Sequence, residues 1–289
     1  MDRSSITQYS FRKNLPLEFE LIDLSLLYEQ HGEKLTSPHR TSFYHVLWYQ
    51  DKSTNLMIDF EPIRVHSNSL LFLKKGIVQQ FSSVKAKGKV LLFTEEFVAR
   101  HSEAFTFLKS TILFNDLLET AQLQLTAGDL TIPRIFESIK DEFAPDPDHF
   151  QPGILLNYLH ILLQVSERMY RHGGFREIKK SADLDYTLLF RDELESHYKS
   201  VRQVSHYAEL LNVTEKRLSA ATNKVLGKTP KEIIDERVML EGKRLLAHTW
   251  LSVKEIGYSL GFDEPTNFIK YFRKHSGKTP VEFREQFTK

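Results

Sequence analysis

Side chains that can contact base edges occur in two segments near the end of the chain, at spacings that place each group on one face of a helix. They are Lys216, Ser219, Ala220, Asn223, Thr266, Asn267 and Lys270. Asparagine can bond N6 and N7 of adenine, lysine can reach O6 and N7 of guanine, and a methyl group can contact thymine. These residue types on exposed helix faces predict direct reading of DNA sequence.

Cationic side chains lie beside this set and suit a different task. They are Arg217, Lys224, Lys228, Arg273, Lys274 and Lys278. Guanidinium and ammonium groups hold DNA phosphates, which fixes the register on the duplex and makes affinity depend on salt. The alternative for each of them is a solvated surface charge.

The elements that would position these residues are visible as a repeat. The tetrapeptide Gly-Lys-Thr-Pro begins at Gly227 and again at Gly277. The segments 204–230 and 253–280 align at an offset of 49 residues that becomes 50 after the turn. This alignment predicts one structural unit used twice.

Small and turn-forming residues predict how each copy folds. Ala208 and Gly257 would let two helices approach closely, and Asn212 and Gly261 tolerate the left-handed conformation that ends a helix. Each copy therefore reads as helix, tight turn, helix, the arrangement whose second helix enters a DNA major groove. A helical hairpin pair within a bundle is the alternative.

Capping residues predict where the helices begin. Thr214 and Asp263 are the expected N-caps of the two reading helices, and Pro265 fits the first turn of the second. Thr229 and Thr279, each before a proline, are expected to cap the helices that follow. Gly-Lys-Thr-Pro would then end one helix and start the next, with the bases read upstream of it.

A further helix is predicted over 230–249, between the two copies, with apolar residues at Ile234, Val238 and Leu245. Its length of about 27 Å comes near the ~34 Å turn of B-DNA. Two reading helices joined by such a helix could occupy successive major grooves on one face of the duplex.

Composition narrows the class of protein. The 289 residues include no cysteine, which excludes disulfides, thiolate metal sites and cysteine nucleophiles. The net charge is only +1, but residues 199–289 hold 17 basic and 11 acidic residues, against 22 and 27 in the remainder. A basic C-terminal part suggests a polyanionic partner. The polar start and the short apolar runs predict a cytoplasmic protein without a membrane span.

The front of the chain reads as short strands. Runs rich in β-branched and aromatic residues occupy 42–50, 55–60, 63–81 and 88–93, with turn residues between them. Such spacing predicts a sandwich or a small barrel.

Helices are predicted behind the strands. One is expected over 94–110 and another from Ile154 to about residue 170, where Ile154, Tyr158, Ile161 and Val165 form an apolar stripe. That stripe could pack internally or pair with a second subunit. Residues 172–183 read as a linker.

Residues 251–284, LSVKEIGYSLGFDEPTNFIKYFRKHSGKTPVEFR, resemble the signature of the AraC/XylS transcriptional regulators, and the likeness extends back to about residue 200. The resemblance implies tandem helix-turn-helix modules that bind double-stranded promoter DNA, and usually activation through RNA polymerase. It points to Lys216, Ser219 and Ala220 in the first helix, and to Thr266, Asn267 and Lys270 in the second, as base-reading positions. Relatives often carry a longer polar side chain where this chain has Ala220, so the first helix is expected to be the weaker reader.

The front of the chain resembles, less closely, the sensor domain of this family, a cupin-type double-stranded β-barrel. Pro38-His39-Arg40-Thr41 stands where such relatives often read Pro-His-Arg-His, so no metal and no cofactor are expected. The implied fold is α+β. A cupin-like regulatory domain would occupy 1–125, a helical dimerisation or linker region 126–180, and an AraC-type DNA-binding domain 181–289.

The functional expectation is a DNA-binding regulator, not an enzyme, controlled by a small effector or by dimerisation. His39, His45 and Tyr49 are the candidate effector-pocket residues. A metal-dependent cupin enzyme and a barrel that only dimerises are the alternatives. An alkyl-transfer DNA-repair protein is excluded, because its chemistry requires cysteine.

Overall fold

In the computed structural model the protein folds as two compact units, one formed by Gln8–Glu177 and the other by Ile178–Lys289 together with the segment that ends at Thr7. The structure describes residues 5–11, 17–114, 120–143, 146–173 and 181–287. The first of these units is called the front unit here and the second the rear unit.

The strands of the front unit form two main sheets. Their bounds are β1 Gln8–Tyr9, β2 Phe19–Asp23, β3 Arg40–Thr41, β4 Tyr44–Tyr49, β5 Thr54–Ile58, β6 Glu61–Val65, β7 Ser69–Leu73, β8 Gln79–Phe81, β9 Gly88–Phe93 and β10 Gln122–Gln124. One antiparallel sheet has the order β10-β7-β4-β9-β2 and another has the order β6-β5-β8, while β1 and β3 pair in parallel. The predicted strands over 42–93 are confirmed.

Strand β4 lies at the centre of the larger sheet and is buried on both faces. Val46 and Trp48 belong to a core shared with the helices, whereas Leu47 and Tyr49 belong to a core shared with the smaller sheet. Alternate side chains of a strand point to opposite faces, so one strand serves two cores. A continuous apolar run in the sequence is the signature of such a strand.

The helices of the front unit are α1 Leu24–Leu35, α2 Glu95–Val98, α3 Ser102–Ser110, α4 Thr131–Glu142 and α5 Gln151–His172. The single helix predicted over 94–110 was wrong. The helix is interrupted after α2. The His101 ring then caps α3 by accepting a hydrogen bond from the Ala104 N–H. Among the described residues, no helix is both long and apolar enough to cross a membrane.

Helices α4 and α5 pack together and contribute to the core on one face of the larger sheet. Leu155, Leu159 and Leu162 of α5 are buried there, while Ile154 and Ile161 remain exposed. The predicted domain limits at residues 125 and 180 stay predictions. Most of the linker predicted over 172–183 lies outside the described residues.

The rear unit is helical. Its elements are α6 Ala182–His197, α7 Val204–Leu210, α8 Glu215–Leu226, α9 Pro230–His248, α10 Val253–Ser259, α11 Pro265–Ser276 and α12 Pro280–Glu285. The coarse prediction, a β-rich front part followed by a helical part with two helix-turn-helix motifs, is confirmed.

The two turns have the same hydrogen-bonded geometry. Asn212 and Gly261 adopt positive φ values of 53° and 75°. The Val213 N–H donates to the Ala208 carbonyl at 2.9 Å, and the Phe262 N–H donates to the Gly257 carbonyl at 3.0 Å. Each turn thus closes the preceding helix in the manner expected from the left-handed residue.

The repeated tetrapeptide ends and starts helices as predicted. Gly227 and Gly277 are left-handed C-caps of α8 and α11. Thr229 and Thr279 then form capping boxes with the glutamates three residues later. Each box satisfies backbone N–H groups that would otherwise lack partners.

One capping prediction was wrong. Thr214 caps α8 through its side chain, but the N-cap of α11 is Glu264, which makes no side-chain cap. Asp263 is therefore the inserted residue of the second copy, and it lies between the turn and the cap. The offset changes from 49 to 50 at this position, because Phe262 corresponds to Val213 and Glu264 to Thr214.

Gly261→Ala should destabilise the second helix-turn-helix far more than Gly277→Ala. Both glycines have positive φ, which costs about 1 kcal/mol for alanine. At Gly261 the new β-carbon would also lie 2.0 Å from the Lys199 carbonyl oxygen, whereas at Gly277 the space is open. Hydrogen exchange of peptides from α10 and α11 measures the difference, and equal losses in both variants would contradict it.

Candidate nucleic-acid interface

Helix α8 is positioned by its buried side. Thr214 accepts a hydrogen bond from the Arg217 N–H and starts the helix, and Leu218 is fully buried in the rear-unit core. The opposite face carries Lys216, Ala220 and Asn223, all exposed. These positions are four and three residues apart, so they share one face of the helix.

Ser219 lies at the margin of this face. Its side chain is only partly exposed, and its carbonyl oxygen accepts a hydrogen bond of 2.9 Å from the Asn223 amide. The Asn223 amide oxygen makes no hydrogen bond with the described residues. Near its middle, α8 therefore presents a hydrogen-bond acceptor, the Asn223 amide oxygen, and the methyl group of Ala220.

Helix α11 repeats this arrangement. Phe268 and Phe272 are buried, whereas Thr266, Asn267 and Lys270 are exposed. Lys216 and Ala220 of α8 correspond to Thr266 and Lys270 at the offset of 50. The structure therefore groups the predicted base-reading residues on two equivalent exposed faces.

Ile269 also lies on the exposed face of α11, and the sequence interpretation missed it. Its side chain is 37% exposed. The signal was present in the repeat, since Ile269 stands 50 residues after Ser219, a position that had been selected. Its apolar side chain can contact a thymine methyl group.

The predicted phosphate cations of α8 are held by an acid from another helix. The Arg217 Nη1 donates to Asp183 Oδ1 at 2.5 Å, and the Lys224 Nζ donates to Oδ2 at 2.6 Å. Lys224, and after it Arg217, hold the pKa of the Asp183 carboxyl below its usual range. Sequence interpretation missed Asp183, because it lies outside the repeat.

The remaining predicted phosphate cations are held less closely. Lys228 pairs with Glu236 at 2.7 Å on the surface. Arg273 and Lys278 lie near enough to Glu282 to contribute to the lowered pKa of that carboxyl, after its bonds to Thr279. Lys274 has no ion pair within the described part of the chain, and the same holds for the base-reading candidates Lys216 and Lys270.

Helix α11 is fixed to α9 by a polar contact as well as by its core. The Tyr271 hydroxyl donates to Asp235 at 2.8 Å, and Lys231 donates to the same carboxylate oxygen at 2.7 Å. Burial, and then Asp235, raise the pKa of Tyr271 well above its ordinary value. A neutral tyrosine bonded to an ionised aspartate is a charge-assisted contact that fixes the rotation of α11.

The candidate effector residues lie inside the front unit, and two of them meet. The Gln79 amide nitrogen is 3.3 Å from His39 Nε2 and 3.4 Å from His45 Nε2. The His39 Nδ1–H donates to the Ser37 carbonyl, so its Nε2 must accept. Tyr49 is on the same face of β4 as His45 but about 13 Å further along the strand.

Buried polar atoms without partners accompany these residues. Within the described part of the chain, the Tyr49 hydroxyl, His45 Nδ1 and Gln79 Oε1 make no hydrogen bond, and neither does the Tyr28 hydroxyl. Burial lowers the pKa of His45 to about 3 and also lowers that of His39. Both imidazoles are thus neutral near pH 7. No three His, Asp or Glu side chains among the described residues are grouped to hold a metal ion.

Comparison with known proteins identifies a domain within the rear unit. A family described as "Helix-turn-helix domain" matches residues 207–286. The uncharacterized HTH-type transcriptional regulator YisR of Bacillus subtilis is 32% identical over 92 residues, which is 32% of each chain. The lactose operon transcription activator of Staphylococcus xylosus is 30% identical over 97 residues, 34% of this chain and 35% of that one.

These matches span about a third of each relative's own length. A solved structure of ToxT from Vibrio cholerae is 13% identical and covers 94% of this chain and 98% of that one, with a TM-score of 0.44. Residues 207–286 therefore carry a helix-turn-helix domain, and the relatives that share this part of the chain are named as transcriptional regulators.

The buried histidines should make the front unit acid-sensitive. His45 accepts a proton near pH 6.5 when the chain is unfolded but only near pH 3 when folded. Stability is therefore fully present above pH 6.5 and falls as the pH is lowered, by about 2 kcal/mol at pH 5 for this one group. His45→Gln should flatten that dependence.

Denaturant unfolding at pH 7.5, 6 and 5 measures this effect. The chain has two tryptophans, and in a Trp250→Phe background Trp48 reports on the front unit alone. The exposed His66 gives a matched control, because His66→Gln should keep the wild-type pH dependence. The same slope in His45→Gln and wild type would contradict the expectation.

Proposed function

We propose that this protein is a sequence-specific DNA-binding regulator of transcription and not an enzyme. The observation that carries the proposal is the pair of exposed faces on α8 and α11, which are equivalent in register and follow equivalent turns. A helix-turn-helix places the N-terminal part of its second helix against base edges in the major groove. Residues 181–289 are the proposed DNA-binding domain.

The two helices have unequal roles in this proposal. In α11, Asn267 can make a bidentate contact with adenine and Lys270 can donate to guanine. Thr266 adds a hydroxyl group. In α8, Lys216 and Asn223 are the polar readers, while Ser219 and Ala220 contribute smaller contacts. Arg273, Lys274 and Lys278 would hold phosphates and set the register.

Helix α9 is the proposed spacer between the two readers. Its 19 residues give a length of about 28 Å. It packs against α8 and α11 as well as α10 and α12. Such a spacer suits two successive major grooves, which lie about 34 Å apart on one face of B-DNA.

Activation through RNA polymerase is proposed as the outcome of binding. A relative that shares the domain is named a transcription activator, which supports this direction of control. Dimerisation through α5 is part of the same proposal, because Ile154 and Ile161 leave two apolar side chains exposed one heptad apart.

The front unit is the proposed effector-binding domain. Its two main sheets would form a cupin-like barrel, and the effector would bind between them. The support is chemical: buried hydroxyl, imidazole and amide atoms around His39, His45 and Tyr49 have no hydrogen-bond partner among the described residues. Buried polar groups are normally hydrogen-bonded, so a small polar ligand would satisfy them.

Lys270→Ala and Asn267→Ala should each cost about 1–3 kcal/mol at the cognate site and relax specificity there. Lys274→Ala is the matched control on the same helix. It should weaken binding about equally on all sequences and reduce the salt slope by about 1. The measurement is affinity of the full chain for its own upstream intergenic duplex and for a scrambled duplex, at two salt concentrations.

Unchanged base preference in both Lys270→Ala and Asn267→Ala would show that the second reading face is misplaced. Equal, weak binding of the wild type to both duplexes would argue against this target, and a random-site selection would then search for another.

A ligand of the front unit should raise its melting temperature. A compound at 100 times its dissociation constant stabilises the folded state by about 2.7 kcal/mol. A thermal-shift screen of sugars, aromatic acids and fatty acids tests this, with Tyr49→Phe expected to reduce the shift. Tyr44→Phe is the control, since Tyr44 lies on the other face of β4, where its ring stacks on Phe93 and meets Phe114 edge-to-face. A screen without any shift would favour a front unit that only dimerises.

A further inference from the structure

Helix α6 is the element of the rear unit that follows the front unit in the chain. Ser181 caps it by accepting a hydrogen bond from the Leu184 N–H, and Leu184, Leu188 and Leu194 are buried. The helix packs closely along α8, the first proposed reading helix. Its first turn therefore lies beside the cations of that helix.

Asp183 joins the two cations of α8 through separate carboxylate oxygens. Its side chain is 14% exposed, compared with 72% for Lys224. Arg217 is further held by the Tyr186 ring, 4.8 Å from the guanidinium carbon. The contact is thus a shielded carboxylate bonded to an arginine and a lysine that face solvent in part.

A DNA phosphate and this carboxylate are competing ligands. Both are oxyanions that accept charge-assisted hydrogen bonds from guanidinium and ammonium groups. A phosphate that took Arg217 and Lys224 would leave Asp183 without its two charged partners, which costs free energy. The pair of cations also carries a net charge of only +1 while Asp183 is bound to them.

Within the described part of the chain, no acid holds the corresponding positions of the second module. The residue 50 positions after Lys224 is Lys274, which has no ion pair within the described part of the chain. The counterpart of Arg217 is Asn267, which is neutral. The two reading helices, alike in backbone, therefore differ in the charge they can offer to phosphates.

We propose that Asp183 is an internal phosphate mimic, which keeps Arg217 and Lys224 from the DNA backbone until the front of α6 moves. The contact of these three residues is called the Asp183 latch. With the latch closed, the second module supplies most of the sequence-independent affinity. This inference rests on the proposed function, and it adds a regulated first module to it.

Asp183→Asn opens the latch while keeping the shape of the side chain. Asp185→Asn is the matched control, because Asp185 lies in the same first turn, is exposed and has no ion pair among the described residues. Both variants add one unit of positive net charge and remove one acid from the start of the helix. They differ only in the contact with Arg217 and Lys224.

The assay is binding of the full chain to a 30-base-pair duplex of random sequence, from 50 to 200 mM salt. The slope of log affinity against log salt should become steeper by about 1 to 1.8 units in Asp183→Asn than in Asp185→Asn. Over this fourfold range of salt, that is a loss of affinity about 4- to 12-fold larger. Asp183→Glu, which keeps the charge, should behave as wild type.

Lys224→Met gives a second test that does not depend on Asp183→Asn alone. Lys224 is exposed, so its removal should leave the fold intact. It should change binding little in the wild type but remove about half of the added slope in Asp183→Asn, and this non-additivity measures the latch. Circular dichroism checks that each variant is folded.

Equal salt slopes in Asp183→Asn and Asp185→Asn would overturn the latch. Weaker binding by Asp183→Asn at an unchanged slope would also overturn it, since Asp183 would then orient the cations for DNA. Salt-insensitive binding, or none, by all folded variants would instead overturn the proposed function itself.

Discussion

The packing of one aromatic side chain, Phe268, sets how closely the helices of the rear unit approach one another. Phe268 of α11 is buried between α10 and α9, at points where both helices carry glycine. A β-carbon on Gly257 would lie 3.2 Å from the Phe268 β-carbon, and one on Gly242 would lie 3.5 Å from its ring. Because larger side chains would push these helices apart, the position of the second reading face depends on this contact. The Tyr271–Asp235 bond then fixes the rotation of the same helix.

The two modules share a frame but not a surface. Their turns, left-handed residues and capping boxes recur at matching positions because backbone geometry demands them. Backbone geometry does not restrict the exposed positions in this way, and they differ between the copies. Ala220 corresponds to Lys270, and Arg217 corresponds to Asn267. A duplicated fold can in this way provide one stronger reader and one whose charge is controlled by a neighbouring helix. The difference lies in side chains, while the similarity lies in the backbone.

The front unit is organised around a strand that serves two cores. Val46 and Trp48 pack towards the helices, while His45 and Tyr49 point between the sheets. The period of two along β4 therefore separates a largely aromatic face from one that contains imidazole, amide and hydroxyl groups. Burying neutral histidines lowers the stability of the front unit at acidic pH. It also leaves polar atoms inside the unit that could bond to a ligand.

The sequence alone determined the features that depend on local backbone chemistry. The repeat predicted both helix-turn-helix motifs, the left-handed Asn212 and Gly261, and the caps at Thr229 and Thr279, because each is a short-range requirement of the chain. It also selected most of the exposed residues of α8 and α11, which follow from helical period, but it missed Ile269. The break at Ala99–His101 and the uncapped start of α11 were missed, since both depend on one or two residues within an otherwise regular pattern. Only the tertiary structure decided which polar and charged side chains meet. Asp183 lies 34 residues before Arg217 and His39 lies 40 before Gln79, and no periodicity relates positions on separate elements.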